Sequence, residues 1–269
     1  MTPENPEDLT HLIPPELLDK LRAGSKKGIV GFFDILGYQS FLENNDVGMA
    51  VRAVLEALSA ENLAVRENVK KFFSGGTNEE FVSQVLSEME PLVFSDTILL
   101  TSPYGLADHV DKLKIRWLIY LIYVATLQNR LFKFGLPIRG AIAVGEYIVI
   151  GTCFAGRPIV EAFRQTSDID AAIILVAESA QKDLESYVKP STELVIQYLA
   201  PLKKGIPRRF WAINFASFAI GLGELLHGDE RREVAECFWK HNKDIESSAL
   251  SKLANTELFL RFLKSKRGY

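Results

Sequence analysis

Two aspartates stand where carboxylates could meet and do chemistry. Asp34 follows the apolar run IVGFF at 29–33, which predicts a buried strand. Asp96 lies in a polar turn, Ser95-Asp96-Thr97, between two further apolar runs, a pattern that predicts a tight hairpin. If their strands are neighbours, the carboxylates lie about 4.8 Å apart, which is one strand spacing. Carboxylates this close repel each other, so the sequence predicts a protonated side chain or a bound cation between them.

Divalent cations suit such a pair. Mg²⁺ prefers oxygen ligands and typically binds one or two carboxylates plus substrate phosphates. Two such ions about 3.5–4 Å apart can activate an attacking oxygen and stabilise a leaving phosphate. Gly37 would let backbone N–H groups turn towards an anion. Ser40 and Glu43 have capping-box spacing, which predicts a helix N-terminus at Ser40 that favours the same anion.

Each aspartate also has a purely structural interpretation. Asp34 could cap the following helix, although Ser40 already fills that position. Asp96 could be an ordinary turn residue, because Asp is common in turns. The pair is more informative than either member, and together the two residues favour a metal-dependent reaction on a phosphate.

The surrounding elements predict an α+β fold. After the first strand the pattern indicates a helix from Ser40 towards Phe73, a break at Gly75-Gly76 and a short helix through Leu86. The order strand, helix, strand, strand, helix, strand is the βαββαβ pattern of ferredoxin-like antiparallel sheets, in which the first and third strands are neighbours. The later elements are strands at Pro91–Phe94 and Ile98–Thr101, a helix at 107–134 closed by Gly135, a strand at Ile138–Glu146, a helix after Gly156 and a strand at Ala171–Val176.

Three regions are expected along the chain. Residues 1–26 are a Pro-rich, acidic lead-in, residues 27–189 form the catalytic core, and residues 190–269 form an extension packed on that core. The extension opens with the strand-like RRFWAINF and continues as helices. Small residues alternate at Ala141, Ala143 and Gly145, which predicts that another element approaches that strand closely.

Composition excludes several functional classes. The chain has 269 residues, 48% hydrophobic and 24% charged, as is ordinary for a globular protein. A net charge of −3 gives no support for a nucleic-acid partner. The apolar stretch at 117–127 is far short of the ~20 residues that span a bilayer. The two isolated cysteines, the lack of a signal-peptide pattern and the absence of zinc-ligand spacing among the histidines predict a cytoplasmic protein that is not a zinc enzyme.

Four motifs in order resemble class III nucleotide cyclases. GFFDILGY at 31–38 resembles their metal-binding first strand, and VFSDTILL at 93–100 resembles the hairpin that carries the second metal-binding aspartate. LPIRGAIAVGE at 136–146 and FAGRPIVEAFR at 154–164 resemble the strand and helix that follow. Each motif is loose, but their order makes the set fairly specific. The resemblance covers roughly residues 28–180 and implies a palm-type cyclase core.

The resemblance implies roles for the matching residues. Two Mg²⁺ or Mn²⁺ ions would be held by Asp34, Asp96 and the Ile35 carbonyl. The substrate would be a nucleoside triphosphate, cyclised to its 3′,5′-monophosphate with release of pyrophosphate. The phosphates would be bound by Leu36, Gly37 and Tyr38.

Arg164 matches the arginine that stabilises developing charge in the family. In that family it acts across a head-to-tail homodimer, on the site whose metals the other chain binds, and such a role suits phosphoryl transfer. The structural alternative is a pair within the helix with Glu161, which Arg157 could extend.

Three positions depart from the family pattern. Val160 stands where the family has a transition-state Asn, which puts the full purine-cyclase mechanism in doubt. The base-choice positions hold Leu92 and Cys153. Cysteine fits the guanylate pattern, but Leu92 cannot hydrogen-bond a purine edge.

This departure from the standard base code points to a subgroup, and the chain is similar to the Pycsar pyrimidine cyclases of bacterial antiphage defence. They share the FFDILGY start at 32–38, the Ser95-Asp96 hairpin and a cyclase domain without attached sensor modules. That resemblance implies UTP, with CTP next, as substrate and cyclic UMP or cyclic CMP as product. The candidate base-pocket residues are Leu92, Arg139, Tyr147, Cys153 and Phe154. Core packing is the alternative for Tyr147 and Phe154, and a solvated strand face is the alternative for Arg139.

Other functions compete with this interpretation. Loss of the Asn is compatible with a weak or inactive cyclase relative that binds nucleotides, and a purine cyclase is a further alternative. SGGTNEEF at 74–81 superficially resembles the diguanylate cyclase signature, but two residues separate its glycines from its glutamates. A metal-dependent nuclease could also use acidic strand ends, and it would degrade nucleic acid.

Overall fold

The computed structural model describes residues 24–73, 79–105, 108–151, 153–188, 192–244 and 247–266. The first half of the chain alternates strands with helices, and its long helices follow apolar periodicity. Its elements are β1 (Lys26–Ile35), α1 (Tyr38–Glu43), α2 (Val47–Phe72), α3 (Glu79–Glu88), β2 (Glu90–Phe94), β3 (Thr97–Pro103) and α4 (Val110–Phe134).

The second half adds strands on the far side of β1 and ends in two helices. Two short 3-10 helices, Phe218–Ile220 and Gly223–Leu226, precede those helices. The elements are β4 (Ile138–Ile150), β5 (Cys153–Gly156), α5 (Arg157–Asp168), β6 (Ile174–Val176), α6 (Glu178–Tyr187), β7 (Val195–Ala200), β8 (Arg208–Ile213), α7 (Glu230–Trp239) and α8 (Ser247–Ser265).

One sheet carries all of these strands. Its order is β2-β3-β1-β4-β6-β8-β7, with β5 paired to β4. Every pairing is antiparallel except β4 with β6. The order of the first four strands is the ferredoxin-like one, so the predicted α+β fold with an antiparallel sheet is confirmed. The neighbouring of β1 and β3 is confirmed too, with Asp34 opposite Thr97.

The two faces of the sheet are covered differently. On one face, Ile29 and Phe33 of β1 share a hydrophobic cluster with residues of α2, α3, α4 and α6. On the other face, α5 packs on β1 and β4, where Phe32 meets Phe163 edge to face at 5.4 Å between centroids. Residues alternate between faces along a strand, so Asp34 shares the α5 face with Phe32.

Small residues on β4 admit α5, as their alternation predicts. Ala141 and Ala143 pack with Ala162 of α5 in one buried cluster. A methyl group built on Gly145 would lie 3.2 Å from Cδ of Pro158, closer than ordinary van der Waals contact. The first turn of α5 therefore lies directly against β4.

The predicted helix from Ser40 to Phe73 is wrong in two respects. First, α1 begins at Tyr38 after Gly37, whose φ of 75° is left-handed, and Ser40 does not cap it. The Ser40 hydroxyl instead accepts from the backbone N–H of Asp244 at 2.7 Å. Second, the chain breaks at 44–46, and Asp46 caps α2 by accepting from the N–H of Met49 at 3.0 Å. The glycine break predicted at 75–76 lies outside the described residues.

Several predicted boundaries also differ from the structure. The strand expected to end at Glu146 continues to Ile150 and returns as β5, a hairpin that the sequence pattern did not reveal. The strand expected from Ala171 is shorter and begins at Ile174. Strand β7 was not predicted either, although VIQYLA alternates between less and more exposed side chains, as a half-buried strand does.

The last third of the chain continues the body of the core. Strands β7 and β8 extend the sheet beyond β6. Phe259 and Leu260 of α8 share a buried cluster with Leu36 and with Phe132 of α4. Among the described residues, no helix combines the length and apolarity that crossing a membrane requires.

Candidate functional site

The two predicted carboxylates meet at one end of the sheet. Asp34 is the penultimate residue of β1, and Asp96 lies in the β2–β3 turn, where Ser95 takes a left-handed φ of 56°. The turn is tied to β1 because the N–H of Ile35 donates to the Asp96 carbonyl at 2.8 Å. The Asp34 and Asp96 side chains lie close enough to share a hydrogen bond. Strand pairing and turn geometry therefore place both carboxyl groups at one site.

Burial makes this pair of carboxyl groups unfavourable without a cation. The pKa of Asp34 is raised above its usual value, chiefly by burial, although Arg139 pulls it down. The Asp96 carboxyl raises the pKa further through its charge and its hydrogen bond. A raised carboxyl pKa means that the folded chain disfavours the ionised form.

Arg139 is the positive partner that the chain itself supplies. It lies opposite Asp34 in the β1–β4 register, and its Nε donates to Asp34 Oδ2 at 2.7 Å. A second guanidinium nitrogen donates to the Ile169 carbonyl at 2.9 Å, which holds the side chain in place. Arg139 therefore lies at the carboxylate pair and is not on a solvated strand face.

The donor set fits a divalent cation that also binds substrate. Two carboxylates side by side, one with a raised pKa, would gain from a bound cation. Among the described residues, no group of three or more His, Cys, Asp or Glu side chains could hold a metal ion. An ion at Asp34 and Asp96 would therefore complete its shell with backbone oxygen, water or phosphate oxygens, as Mg²⁺ commonly does.

A cavity of about 330 Å³ opens beside the carboxylates. One wall comes from the core, namely Asp34, Asp96, Arg139 and the segment 35–40. The other wall comes from the last third of the chain and includes Lys203, Lys243 and Lys252. Sequence reasoning missed these lysines, because nothing local links the turn PLKKGIP at 201–207 or the start of α8 to the first strand.

Only part of the predicted phosphate loop has amide groups available. The N–H of Ile35 donates to Asp96, and that of Leu36 donates to the Pro137 carbonyl at 2.8 Å. Within the described part of the chain, no backbone acceptor is found for the N–H groups of Gly37 and Tyr38. Leu36 instead packs its side chain into a buried cluster. Gly37 and Tyr38 are therefore the better candidates for binding an anion.

The segment 241–244, from the last third of the chain, holds the region around the loop at 35–38 in place through hydrogen bonds. Asn45 of the α1–α2 connection donates to the His241 carbonyl at 2.6 Å. His241 in turn bonds the Phe134 carbonyl through Nε2 at 2.7 Å. Lys243 is buried and donates to the carbonyls of Gly135 and Cys237 at 2.5 and 3.1 Å. Burial lowers the pKa of Lys243 to about 8.

Arg164 lies in a different cleft. That cleft, of about 850 Å³, is lined by residues of α5 with Leu202, Arg208 and others, and it shares no lining residue with the carboxylate cavity. Glu161 accepts from the N–H of Ser179 at 3.1 Å. Within the described residues, Arg164 makes no ion pair with Glu161, so the intrahelical pair that was the structural alternative for Arg164 is not formed.

The candidate base-pocket residues separate into three places. Leu92 packs beside the buried Tyr147 on the α5 face of the sheet, so core packing accounts for Tyr147. Cys153 and Phe154 lie on β5, opposite Ile150 and Val149, and both are exposed. Arg139 lies at Asp34 instead, apart from the other four.

Solved structures of nucleotide cyclases resemble this chain weakly. The adenylyl cyclase CyaB from P. aeruginosa is 14% identical over 73% of this chain and 98% of its own, with a TM-score of 0.46. The guanylyl cyclase Cya2 is 14% identical over 70% and 91%, at 0.36, and a bacterial light-regulated adenylyl cyclase is 13% identical over 81% and 64%, at 0.41. Neither a protein-family model nor a curated protein matches the chain.

Only the last three residues of the signature-like segment at 74–81 belong to the described part of the chain. Residues 74–78 lie outside the described part, and Glu79–Phe81 begin α3. The flanking elements are the helices α2 and α3. The diguanylate cyclase interpretation therefore loses its structural context.

Proposed function

We propose that this protein is a nucleotide cyclase, which converts a nucleoside triphosphate to its 3′,5′-cyclic monophosphate and pyrophosphate. The observation that carries the proposal is the meeting of Asp34 and Asp96 at neighbouring strand ends. They lie beside a cavity lined by Gly37 and Tyr38, whose N–H groups have no backbone acceptor among the described residues. The four ordered motifs supply the reaction class. A pair of half-buried carboxylates alone would suit other metal-dependent chemistry as well.

The residues of the cavity have distinct tasks in this scheme. Asp34 and Asp96 would bind Mg²⁺ or Mn²⁺, with the Ile35 carbonyl as a further ligand. When bound, the ions would neutralise phosphate charge and increase the acidity of the ribose 3′-hydroxyl. The 3′-hydroxyl gives up its proton to solvent as its oxygen attacks the α-phosphorus and a new P–O bond forms. The bond from the α-phosphorus to the bridging oxygen breaks, and pyrophosphate leaves. Arg139 holds Asp34 in position through its 2.7 Å contact, and Gly37 and Tyr38 bind phosphate oxygens.

The separation of Arg164 from the carboxylates supports a homodimer with shared sites. Large apolar side chains are exposed on the α5 side of the sheet, where Phe94 is 78% and Phe163 52% exposed. The proposed dimer would cover these side chains, as exposed apolar surface in an interface is covered. A second copy that covers this face would bring its Arg164 to the first copy's cavity, where the guanidinium meets charge on the phosphates.

A pyrimidine is the proposed base, UTP ahead of CTP, and the cyclic product would serve as a second messenger in antiphage defence. Leu92 packs against apolar neighbours on the strand face and offers no hydrogen bond to a purine edge. The test is incubation with each of the four ribonucleoside triphosphates and Mn²⁺, followed by mass spectrometry. Cyclic UMP or cyclic CMP is expected. A cyclic purine nucleotide alone would overturn the base choice, and no cyclic product would overturn the cyclase.

The shared site has its own experiment. Asp96→Asn and Arg164→Ala proteins are each expected to be inactive, but a mixture should recover activity, because one site of each hybrid dimer is complete. With random pairing and half of the dimers hybrid, recovery approaches about a quarter of the wild-type rate. A mixture no more active than its components would exclude a site built from two copies.

Val160 favours a second candidate function. It is 47% exposed in the Arg164 cleft, where the family pattern has a polar Asn. A chain without that group could bind nucleotides and turn them over slowly or not at all. Binding of nucleoside triphosphate with Mn²⁺, measured by calorimetry, without any cyclic product would select this nucleotide-binding role.

A further inference from the structure

A buried lysine from the last third of the chain lies against the loop at 35–38. Lys243, in the connection between α7 and α8, is 4% exposed. A methyl group built on Gly37 would lie 3.4 Å from Cδ of Lys243, so the alkyl stem of the lysine packs on the backbone of Gly37. The four motifs end at residue 164 and give this lysine no role.

The ammonium group of Lys243 joins the ends of two helices. Nζ donates to the carbonyl of Gly135, just after α4, at 2.5 Å and to that of Cys237, in the last turn of α7, at 3.1 Å. Cationic side chains are favourable at these positions, because the last carbonyls of a helix lack intrahelical partners. Within the described residues Lys243 forms no ion pair with a carboxylate, so the two carbonyls are what hold its charge in place.

Neighbouring side chains of the same connection bind the preceding carbonyls of α4. Lys240 donates through Nζ to the Lys133 carbonyl at 3.2 Å, and His241 bonds the Phe134 carbonyl through Nε2 at 2.7 Å. With Lys243, three side chains of one short segment bond three successive carbonyls. The α7–α8 connection and the end of α4 therefore form one unit.

The residues after α4 tie this unit to the loop at 35–38. The N–H of Leu36 donates to the Pro137 carbonyl at 2.8 Å, two residues beyond Gly135. Gly37 follows with a left-handed φ of 75°, a conformation that glycine adopts more readily than other residues. The loop is thus held both by the Leu36 hydrogen bond and by the stem of Lys243.

We infer that Lys243 is a positioning residue, which fixes the N–H groups of Gly37 and Tyr38 in the arrangement that binds an anion without itself contacting that anion. This inference rests on the proposed function for its ligand, the phosphate groups of a nucleoside triphosphate. A loop that is already ordered loses less conformational entropy when it binds. Lys243 therefore raises the affinity of the site from outside the first strand and the hairpin.

The first test measures hydrogen–deuterium exchange of the ligand-free full-length chain by mass spectrometry. Lys243→Met keeps most of the stem but removes the ammonium, so two carbonyls lose a donor. The Leu36 and Phe41 amides bond the Pro137 and Gly37 carbonyls, and their exchange should become about tenfold faster. Peptides from α5 and β8 should exchange as they do in the wild type.

The second test measures binding of inorganic triphosphate with Mg²⁺ by isothermal titration calorimetry. Lys243→Met should raise the dissociation constant about tenfold, because the loop must now be ordered on binding. The stoichiometry should stay at the wild-type value. A residue that only supports folding would instead lower the stoichiometry and leave the dissociation constant unchanged, and that result would overturn the inference.

Lys264→Met is the matched control. Lys264 donates to the Gly228 carbonyl at 3.2 Å and pairs with Glu230 at 2.6 Å, but it does not line the carboxylate cavity. The variant should lose stability in thermal melting, yet keep wild-type exchange at 35–44 and bind triphosphate within about twofold of wild type. If Lys243→Met does not fold, Lys243→Gln keeps N–H donors and should show the same changes at about threefold.

The outcomes separate this inference from the proposed function. Wild-type exchange of the ligand-free loop in the Lys243 variant would overturn the positioning role even if binding is weaker, because Lys243 would then contact phosphate directly. Faster exchange with unchanged affinity, or equal changes in Lys264→Met, would overturn it as well. Faster loop exchange and weaker triphosphate binding in a chain that forms no cyclic nucleotide would reject the cyclase and retain the positioning role.

Discussion

The carboxylate cavity and the Arg164 cleft differ in how complete they are within one chain. In the cavity, Asp34 is 20% exposed and bonded to Arg139, and the loop beside it is braced by residues 240–244. In the cleft, Arg164 is exposed on α5 and makes no ion pair within the described residues. The cavity is assembled by folding, whereas the Arg164 guanidinium has no ion-pair partner among the described residues. This difference is what the proposed dimer with shared sites requires.

The cavity also carries a thermodynamic burden that the cleft does not. Burial and the neighbouring Asp96 raise the pKa of Asp34. Such a group favours folding when protonated, so stability is lost as pH rises through the unfolded pKa of about 4 towards the higher folded pKa. Sites of this kind store repulsion that a bound cation relieves. The exposed cleft should tolerate substitution with little change in stability.

The sharpest test of this contrast is Asp96→Asn. Activity should fall about a thousandfold, because a metal ligand worth several kcal/mol in the transition state is lost. The melting temperature without divalent cation should stay the same or rise, since the repulsion that raises the Asp34 pKa is removed. Scanning fluorimetry at pH 7 with and without MgCl₂ should also show that the cation no longer stabilises the variant. A large drop in the cation-free melting temperature would contradict this account of the cavity.

Arg164→Ala tests the other side of the comparison. The rate constant kcat should fall about a hundredfold or more, as when a charge-stabilising donor is removed. The free energy of unfolding should change by less than about 0.5 kcal/mol, since the exposed side chain makes no ion pair. Urea unfolding and steady-state kinetics measure the two effects. Arg130→Ala, an exposed arginine on α4, serves as the control and should leave both quantities unchanged.

Phe94→Asp asks whether the face that carries the cleft meets a second copy. Phe94 is 78% exposed beside the Asp96 turn, and a charge there should weaken dimerisation about tenfold or more. Analytical ultracentrifugation over a concentration series gives the dissociation constant. Leu55→Asp is the matched control, because Leu55 is 58% exposed on α2, on the opposite side of the sheet. Equal effects of the two variants would remove the case for this interface.

The smallest expected effect is a pH dependence of stability that comes from His241, whose Nε2 bonds the Phe134 carbonyl. The pKa of His241 is lowered by burial and by Lys240 and Lys243, although the Phe134 carbonyl acts against this. Neutral His241 therefore favours folding in full above the unfolded pKa of about 6.5, and this stabilisation is lost as pH falls below it. The variant His241→Asn is suitable because Asn tolerates the left-handed φ of 64° at this position.

Thermal melting of wild type and His241→Asn between pH 7.5 and pH 5 measures this effect. The wild type should lose about 1–3 °C more than the variant over this range. Asp34 contributes with the opposite sign in both proteins, so the difference between them isolates the histidine. If the melting temperatures of the two proteins fall equally with pH, His241 does not contribute to the pH dependence of stability.

Local patterns determined much of the fold and the position of the two carboxylates, Asp34 and Asp96. An apolar run ending at Asp34 and a polar turn at Asp96 predict strand ends, because alternation and turn chemistry act over a few residues. The alternation at Ala141 and Ala143 likewise predicted close packing. The break at 44–46 was missed although Asn44-Asn45-Asp46 are N-cap residue types, because the capping-box spacing of Ser40 and Glu43 favoured a single helix with an earlier start.

Only the tertiary structure decided what surrounds the carboxylates. Arg139 meets Asp34 through antiparallel register across 105 positions in sequence. Lys203 and Lys252, from the last third of the chain, line the same cavity. Such contacts depend on the pairing of distant strands and on the packing of α8, and no local preference encodes them. For the same reason, the separation of Arg164 from the cavity became visible only once the chain was folded.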